Sequence, residues 1–142
     1  MRSVREAIVA AVMGKLVAAV TPVAVLRQPT VALPRERMPA LVIVVESDQA
    51  VQRSSDRMER TLVLRMTALA RDPVSGYAVA DDLICQAHAA LLADQTLGGL
   101  ALGITEGEAD WQAEDADIDA IALPVVYHIT YRTLVSDITQ GG

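Results

Sequence analysis

The chain has 142 residues, of which 52% are hydrophobic but only 3% aromatic, with no Phe and a net charge of −6. This length supports one domain around one core, and that core must be built from Ala, Val, Leu and Ile. So few rings argue against an aromatic stacking platform for single-stranded nucleic acid, and the acidic balance argues against wrapping a DNA backbone.

In chain order, Val4, Ile8, Ala11, Val12, Leu16 and Ala19 mark one face of a first helix. Ser3 can cap it, with Glu6 at the capping-box spacing, and Pro22 ends it. Arg2 and Arg5 ahead of the apolar run 7–20 resemble the start of a signal peptide, but Glu6 and Lys15 interrupt the pattern. The segment therefore reads as an amphipathic helix of a cytoplasmic protein. No apolar stretch reaches the roughly 18 residues needed to span a bilayer.

A short strand follows at Val23–Leu26, then a loop at 28–39 that holds three prolines. The β-branched run Ala40–Glu46 predicts a strand buried on both faces. Residues 47–58 are polar and without apolar periodicity, and are expected to form a mobile hairpin tip or arm. Glu59–Ala70 predicts a strand with Leu62, Leu64 and Met66 on one face and Thr61, Val63, Arg65 and Thr67 on the other. Residues 71–76 carry turn chemistry.

A second helix is predicted over 77–93, with Ala80, Ile84, Ala87 and Leu91 at helical spacing. Asp81 and Asp82 are assigned to its first turns, where they would complement the helix dipole. Cys85, the lone cysteine, is expected to pack as a small hydrophobe. Gly98–Gly99 forms a turn, and Ala101 to about Gln112 a strand that emerges from the core. Ile118–Leu134 is the longest strand signal, with strict alternation from Ile121 to Tyr131. Pro124 within it predicts an edge position or a bulge. Residues 139–142 are expected to fray. The order α-β-β-β-α-β-β predicts a single α+β domain, with a mixed or antiparallel sheet of about five strands and both helices on one face.

Charge divides unevenly along the chain. Through Arg71 there are 11 basic and 6 acidic residues, 11 − 6 = +5; from Asp72 onward there are 1 basic and 12 acidic, 1 − 12 = −11. Two oppositely charged faces on one domain would let copies stack head to tail, and such heterologous contacts make rings when the rotation closes. A solvated surface of mixed charge is the plain alternative.

Catalytic chemistry is scarce. His88 and His128 lie on different elements, and neither has Cys or Asp at a metal-ligand spacing. His88 reads as a core-edge residue, and His128 as pointing away from the core. No Gly-x-Ser-x-Gly elbow and no Walker spacing is present. Glu106, Glu108 and Asp110 would line one side of a strand, which makes them weak candidates for a divalent cation at an interface. Asp115, Asp117 and Asp119 match the start of a calcium loop, but Ala120 stands where Gly is required and Val126 where Glu is required. No cofactor is implied.

The chain resembles the tail terminator proteins of long-tailed bacteriophages, the minor tail protein U-like family. The likeness covers nearly the whole chain. It rests on Val4-Arg5-Glu6-Ala7-Ile8, on Met38-Pro39-Ala40-Leu41-Val42-Ile43-Val44 after a proline-rich loop, and on Arg60-Thr61-Leu62-Val63-Leu64 after a polar insertion. The most specific part is Asp94-Gln95-Thr96-Leu97-Gly98-Gly99-Leu100 just after a helix, and Tyr131-Arg132-Thr133 closes the last strand.

What the resemblance implies is a structural virion protein, not an enzyme. It would form a ring, generally a hexamer, that caps the tail tube, stops its polymerisation and offers the head-joining surface. Its implied partners are its own copies, the tail tube protein and a head-completion or connector protein. DNA would pass through the lumen without specific binding. It would be assembled in the bacterial host cytoplasm and reside in the virion tail. Interface candidates are Arg53, Arg57, Arg60, Asp115, Asp117, Asp119 and Arg132. A head–tail connector of similar size is the alternative within the structural class. A small ligand-binding or enzymatic α+β domain, or a nucleic-acid-binding module using the positive half, are the alternatives outside it.

Overall fold

The computed structural model describes residues 1–29, 33–71, 74–109 and 121–142. Two helices, α1 (Val4–Val20) and α2 (Gly76–Leu92), pack on one face of a five-stranded sheet. The strands are β1 (Ala24–Arg27), β2 (Ala40–Gln52), β3 (Arg57–Ala70), β4 (Gly103–Gly107) and β5 (Ile121–Leu134), in the order β1-β2-β3-β5-β4. β1 runs parallel to β2, and every other neighbouring pair is antiparallel. The expected element order and α+β architecture therefore hold.

Periodicity explains which faces meet. α1 buries Val4, Ile8, Val9, Val12, Leu16 and Val20, and Ser3 accepts a hydrogen bond from the Glu6 N–H at 3.1 Å. α2 buries Ala80, Leu83, Ala87 and Leu91. Against them lie Leu62, Leu64, Met66, Ala68 and Ala70 of β3, with Leu123, Tyr127, Ile129 and Tyr131 of β5. Alternation then sends Thr61, Val63, Arg65 and Thr67 to the opposite face, which no helix covers among the described residues. His128 is on that open face, as expected, in register with Val63 and Thr105.

Several expectations need correction. Residues 47–58 are the hairpin end, as one of the two readings had it, but they are a paired ladder and not an arm: β2 and β3 remain paired from Ser47↔Val63 to Gln52↔Met58, and Arg53 N–H donates to the Arg57 carbonyl. Backbone pairing extends a strand without apolar side chains, so polarity alone did not reveal it. The C-terminus is tethered rather than frayed. Thr133 bridges Gly141, and the Gly142 N–H donates to the Arg132 carbonyl at 3.3 Å. Asp137 sets up this return by accepting from the Thr139 N–H and hydroxyl at 2.9 and 2.6 Å. Cys85 is exposed, because the buried stripe of α2 passes through Leu83 and Ala87 instead. Asp81 and Asp82 fall beyond the first turn of α2, which contains no acidic residue.

Pro124 sits where its missing donor matters least. The β4 ladder ends at Gly107↔Val126, so β5 at Pro124 keeps a described partner only on the β3 side, opposite Thr67.

Candidate functional site

A β-bulge creates a buried polar site on the helix side of the sheet. Leu41 and Ile43 of β2 face the helices, and Val45 packs against the same core. The register shifts between Val45 and Ser47, so the odd positions give way to the even ones. Glu46 lies at the shift, with a carboxylate oxygen 3.4 Å from an Arg65 guanidinium nitrogen. Asp48 is thereby turned onto the helix side, opposite Leu62, where an apolar residue would be expected.

The Asp48 carboxylate is 9% exposed. The Tyr131 hydroxyl donates to its Oδ2 at 2.5 Å, and Arg5 of α1 reaches the same oxygen at 3.4 Å. Oδ1 is buried with no hydrogen-bond partner. Burial, and then the hydrogen bond to Asp48, push the Tyr131 phenol above its ordinary pKa, so the hydroxyl stays protonated and donating. A cavity of about 40 Å³ adjoins this pair, lined by Ser3, Arg5, Asp48, Arg60, Tyr131 and Thr133 among others. That is room for an ordered water that could satisfy Oδ1, and far below the roughly 300–1,000 Å³ of a ligand pocket. Nothing in the sequence marked Asp48, because the bulge that redirects it leaves no composition signal.

A second polar group joins α2 to β4 and β5. His88 Nδ1 lies 2.7 Å from the Tyr127 hydroxyl and 3.8 Å from a Glu106 carboxylate oxygen. Burial, with a smaller contribution from Glu106, raises the Tyr127 pKa. His88 is thus the core-edge residue the sequence suggested, serving a buried phenol.

The other candidate residues divide by element. Glu106 turns toward His88, whereas Glu108 lies beyond the end of β4 and Asp110 lies outside the described residues. Among the described residues, no group of three or more acidic, His or Cys side chains is placed to hold a metal ion. Asp115, Asp117 and Asp119 also lie outside the described residues. Arg53, Arg57 and Arg132 come together at the hairpin end of the sheet, whereas Arg60 lies on the helix side, where it lines the Asp48 cavity. Arg53 pairs with Glu59 at 3.2 Å, Arg57 with Asp56 at 3.0 Å, and Arg132 approaches Glu59 at 3.9 Å. Arg60 Nε donates to the Thr133 hydroxyl at 3.0 Å.

The fold gives the charge imbalance a spatial form. β1, β2 and β3, from the basic first half, occupy one side of the sheet; β5 and β4, from the acidic second half, occupy the other. The helices do not divide as cleanly: α1 packs on β1 and on α2, and α2 spans β3 and β5. Glu6, Glu46, Asp48, Asp56 and Glu59 of the first half all pair with arginines of that half. Among the described residues, no Lys or Arg lies within ion-pair distance of Asp81, Asp82, Asp94, Glu106, Glu108 or Asp137. The basic half keeps acids of its own in ion pairs with an excess of positive charge, whereas, among the described residues, β4, α2 and the turn after it carry acids without such partners.

No protein-family model matches the chain, and no curated protein sequence matches it. Among the described residues, no helix is long and apolar enough to cross a membrane.

Proposed function

We propose that this protein is the ring-forming subunit of a phage tail terminator, which caps the tail tube and presents a surface for head joining. The sequence resemblance suggests the reading, and the lateral separation of charge is the observation that carries it. A subunit with a basic side and an unneutralised acidic side favours contact between unlike sides of successive copies, which is the heterologous geometry of a ring. The sites described above supply positioning contacts rather than catalytic machinery, which suits a structural subunit.

Light scattering across protein concentration and salt, with and without millimolar magnesium, tests the proposal. We expect a shift from about 15 kDa toward a species several times larger, reversed by high salt as exposed charge contacts are screened. Capping of purified tail tubes, seen by electron microscopy, identifies the partner. Asp115→Lys, Asp117→Lys and Asp119→Lys together should reduce ring formation or capping. Rings of unchanged size and salt response would show that these three charges face solvent. A ring that binds a head connector and leaves tubes uncapped would favour the neck-protein alternative.

A further inference from the structure

We propose that successive copies join edge to edge, with β4 of one copy pairing antiparallel to β1 of the next, so that the ring is a continuous closed sheet. This inference rests on the ring reading above. Among the described residues, β1 and β4 are the two edges of the sheet, each paired on one side only. An unpaired edge is a template for another chain unless Pro, Lys or a bulge blocks it. β1 (Ala-Val-Leu-Arg) and β4 (Gly-Ile-Thr-Glu-Gly) are short and each carries one charge on the helix side, Arg27 and Glu106, but neither contains Pro or Lys, and the two charges are opposite in sign.

Direction and facing both fit. Following the pairings across the sheet, β1 and β4 run in opposite directions. A copy related by rotation about an axis along the strands therefore offers β1 antiparallel to β4, with its helices on the same side. Val25 packs against the core, which places Ala24 and Leu26 on the open face. Ile104 is in the core, which places Thr105 on that same open face.

Matching the faces restricts the register, because a one-residue slip would invert it. Of the face-matched registers, one pairs all four β1 residues within β4: Ala24 with Gly107, Val25 with Glu106, Leu26 with Thr105, and Arg27 with Ile104. It makes Arg27 and Glu106 diagonal neighbours on the helix side, within reach of long side chains. Arg27 already holds Glu6 through two hydrogen bonds of 2.6 and 2.8 Å, so Glu106 would join an existing pair. Six copies would contribute 6 × 5 = 30 strands. At about 4.8 Å per strand that is a circumference of roughly 144 Å and a backbone diameter of roughly 46 Å before strand tilt, a cylinder with an open bore.

Disulfide trapping tests the register. In a Cys85→Ser background, Leu26→Cys with Thr105→Cys, treated with diamide, should give a ladder of covalent multimers ending at ring size. Ser54→Cys with Thr105→Cys should give none. Wild-type hydrogen exchange provides a readout free of substitutions: amides of β1 and β4 should gain protection on ring formation. Rings that form without the ladder and without this added protection would overturn edge pairing and leave the ring reading intact. A strict monomer under all conditions, including with tail tubes, would overturn both.

Discussion

Among the described residues, Tyr131 holds the one buried carboxylate whose other oxygen has no partner. Tyr131→Phe should therefore cost about 1–3 kcal/mol by urea denaturation, because it leaves the whole Asp48 carboxylate poorly satisfied. Arg5→Ala should cost less than about 1 kcal/mol, since that guanidinium is half exposed and contacts Asp48 at only 3.4 Å. Combining Tyr131→Phe with Asp48→Leu should recover much of the single-variant loss, as both polar partners then disappear. A double variant no more stable than Tyr131→Phe would show that the pair's burial is not what costs the single variant. Asp94 is a different case. The Gly98 N–H, followed by the Thr96 hydroxyl and N–H, holds its carboxyl below the ordinary carboxylate pKa. A lowered folded pKa means the stabilisation is complete above the unfolded value of about 3.9 and is lost as pH falls through the lower folded value. Asp94→Asn should flatten that acid limb; denaturation at pH 7 and pH 3 compares the two.

At the scale of elements, the β2–β3 hairpin separates two kinds of strand. Its inner part carries Leu62, Leu64 and Met66 into the core, while its outer part is held by backbone pairing and by Arg53–Glu59 and Arg57–Asp56. Replacing residues 52–58 by Asn-Gly should keep the fold and move the melting temperature by only a few degrees, because a type I′ turn suits two paired strands. Deleting 48–56 should be more damaging, since it also removes Asp48 and its bond to Tyr131. Thermal melts of the two variants distinguish these outcomes, and equal melting temperatures would deny Asp48 its anchoring role. Helix positions and inner strands were legible from the 3.6- and 2-residue periods alone. Of the outer hairpin only the tip was legible; its pairing was not, because it depends on backbone hydrogen bonds and on short ion pairs that no hydrophobic pattern records.

For the whole molecule, the charge imbalance became a directional property only once the strand order was known. A chain with the same two halves interleaved in the sheet would carry both signs on each side and have no preferred neighbour. The order β1-β2-β3-β5-β4 keeps the halves apart, with β1 of the basic half at one edge and β4 of the acidic half at the other. Salt should therefore weaken assembly more than it weakens the fold. The core is aliphatic, whereas the proposed contacts combine edge hydrogen bonds with exposed charge. Parallel light-scattering and melting curves against salt would separate the two responses.

Composition and periodicity by themselves determined the α+β class, the element order, the aliphatic core and the imbalance of charge, because each depends on spacing along the chain. Tertiary structure alone decided that Asp48 turns inward, that Cys85 faces solvent, that the C-terminus returns to β5, and that the basic and acidic halves lie side by side. Each of those depends on relations between segments distant in sequence: the register of β2 on β3 for Asp48, the packed face of α2 for Cys85, the pairing of the C-terminus with β5, and the strand order for the two halves.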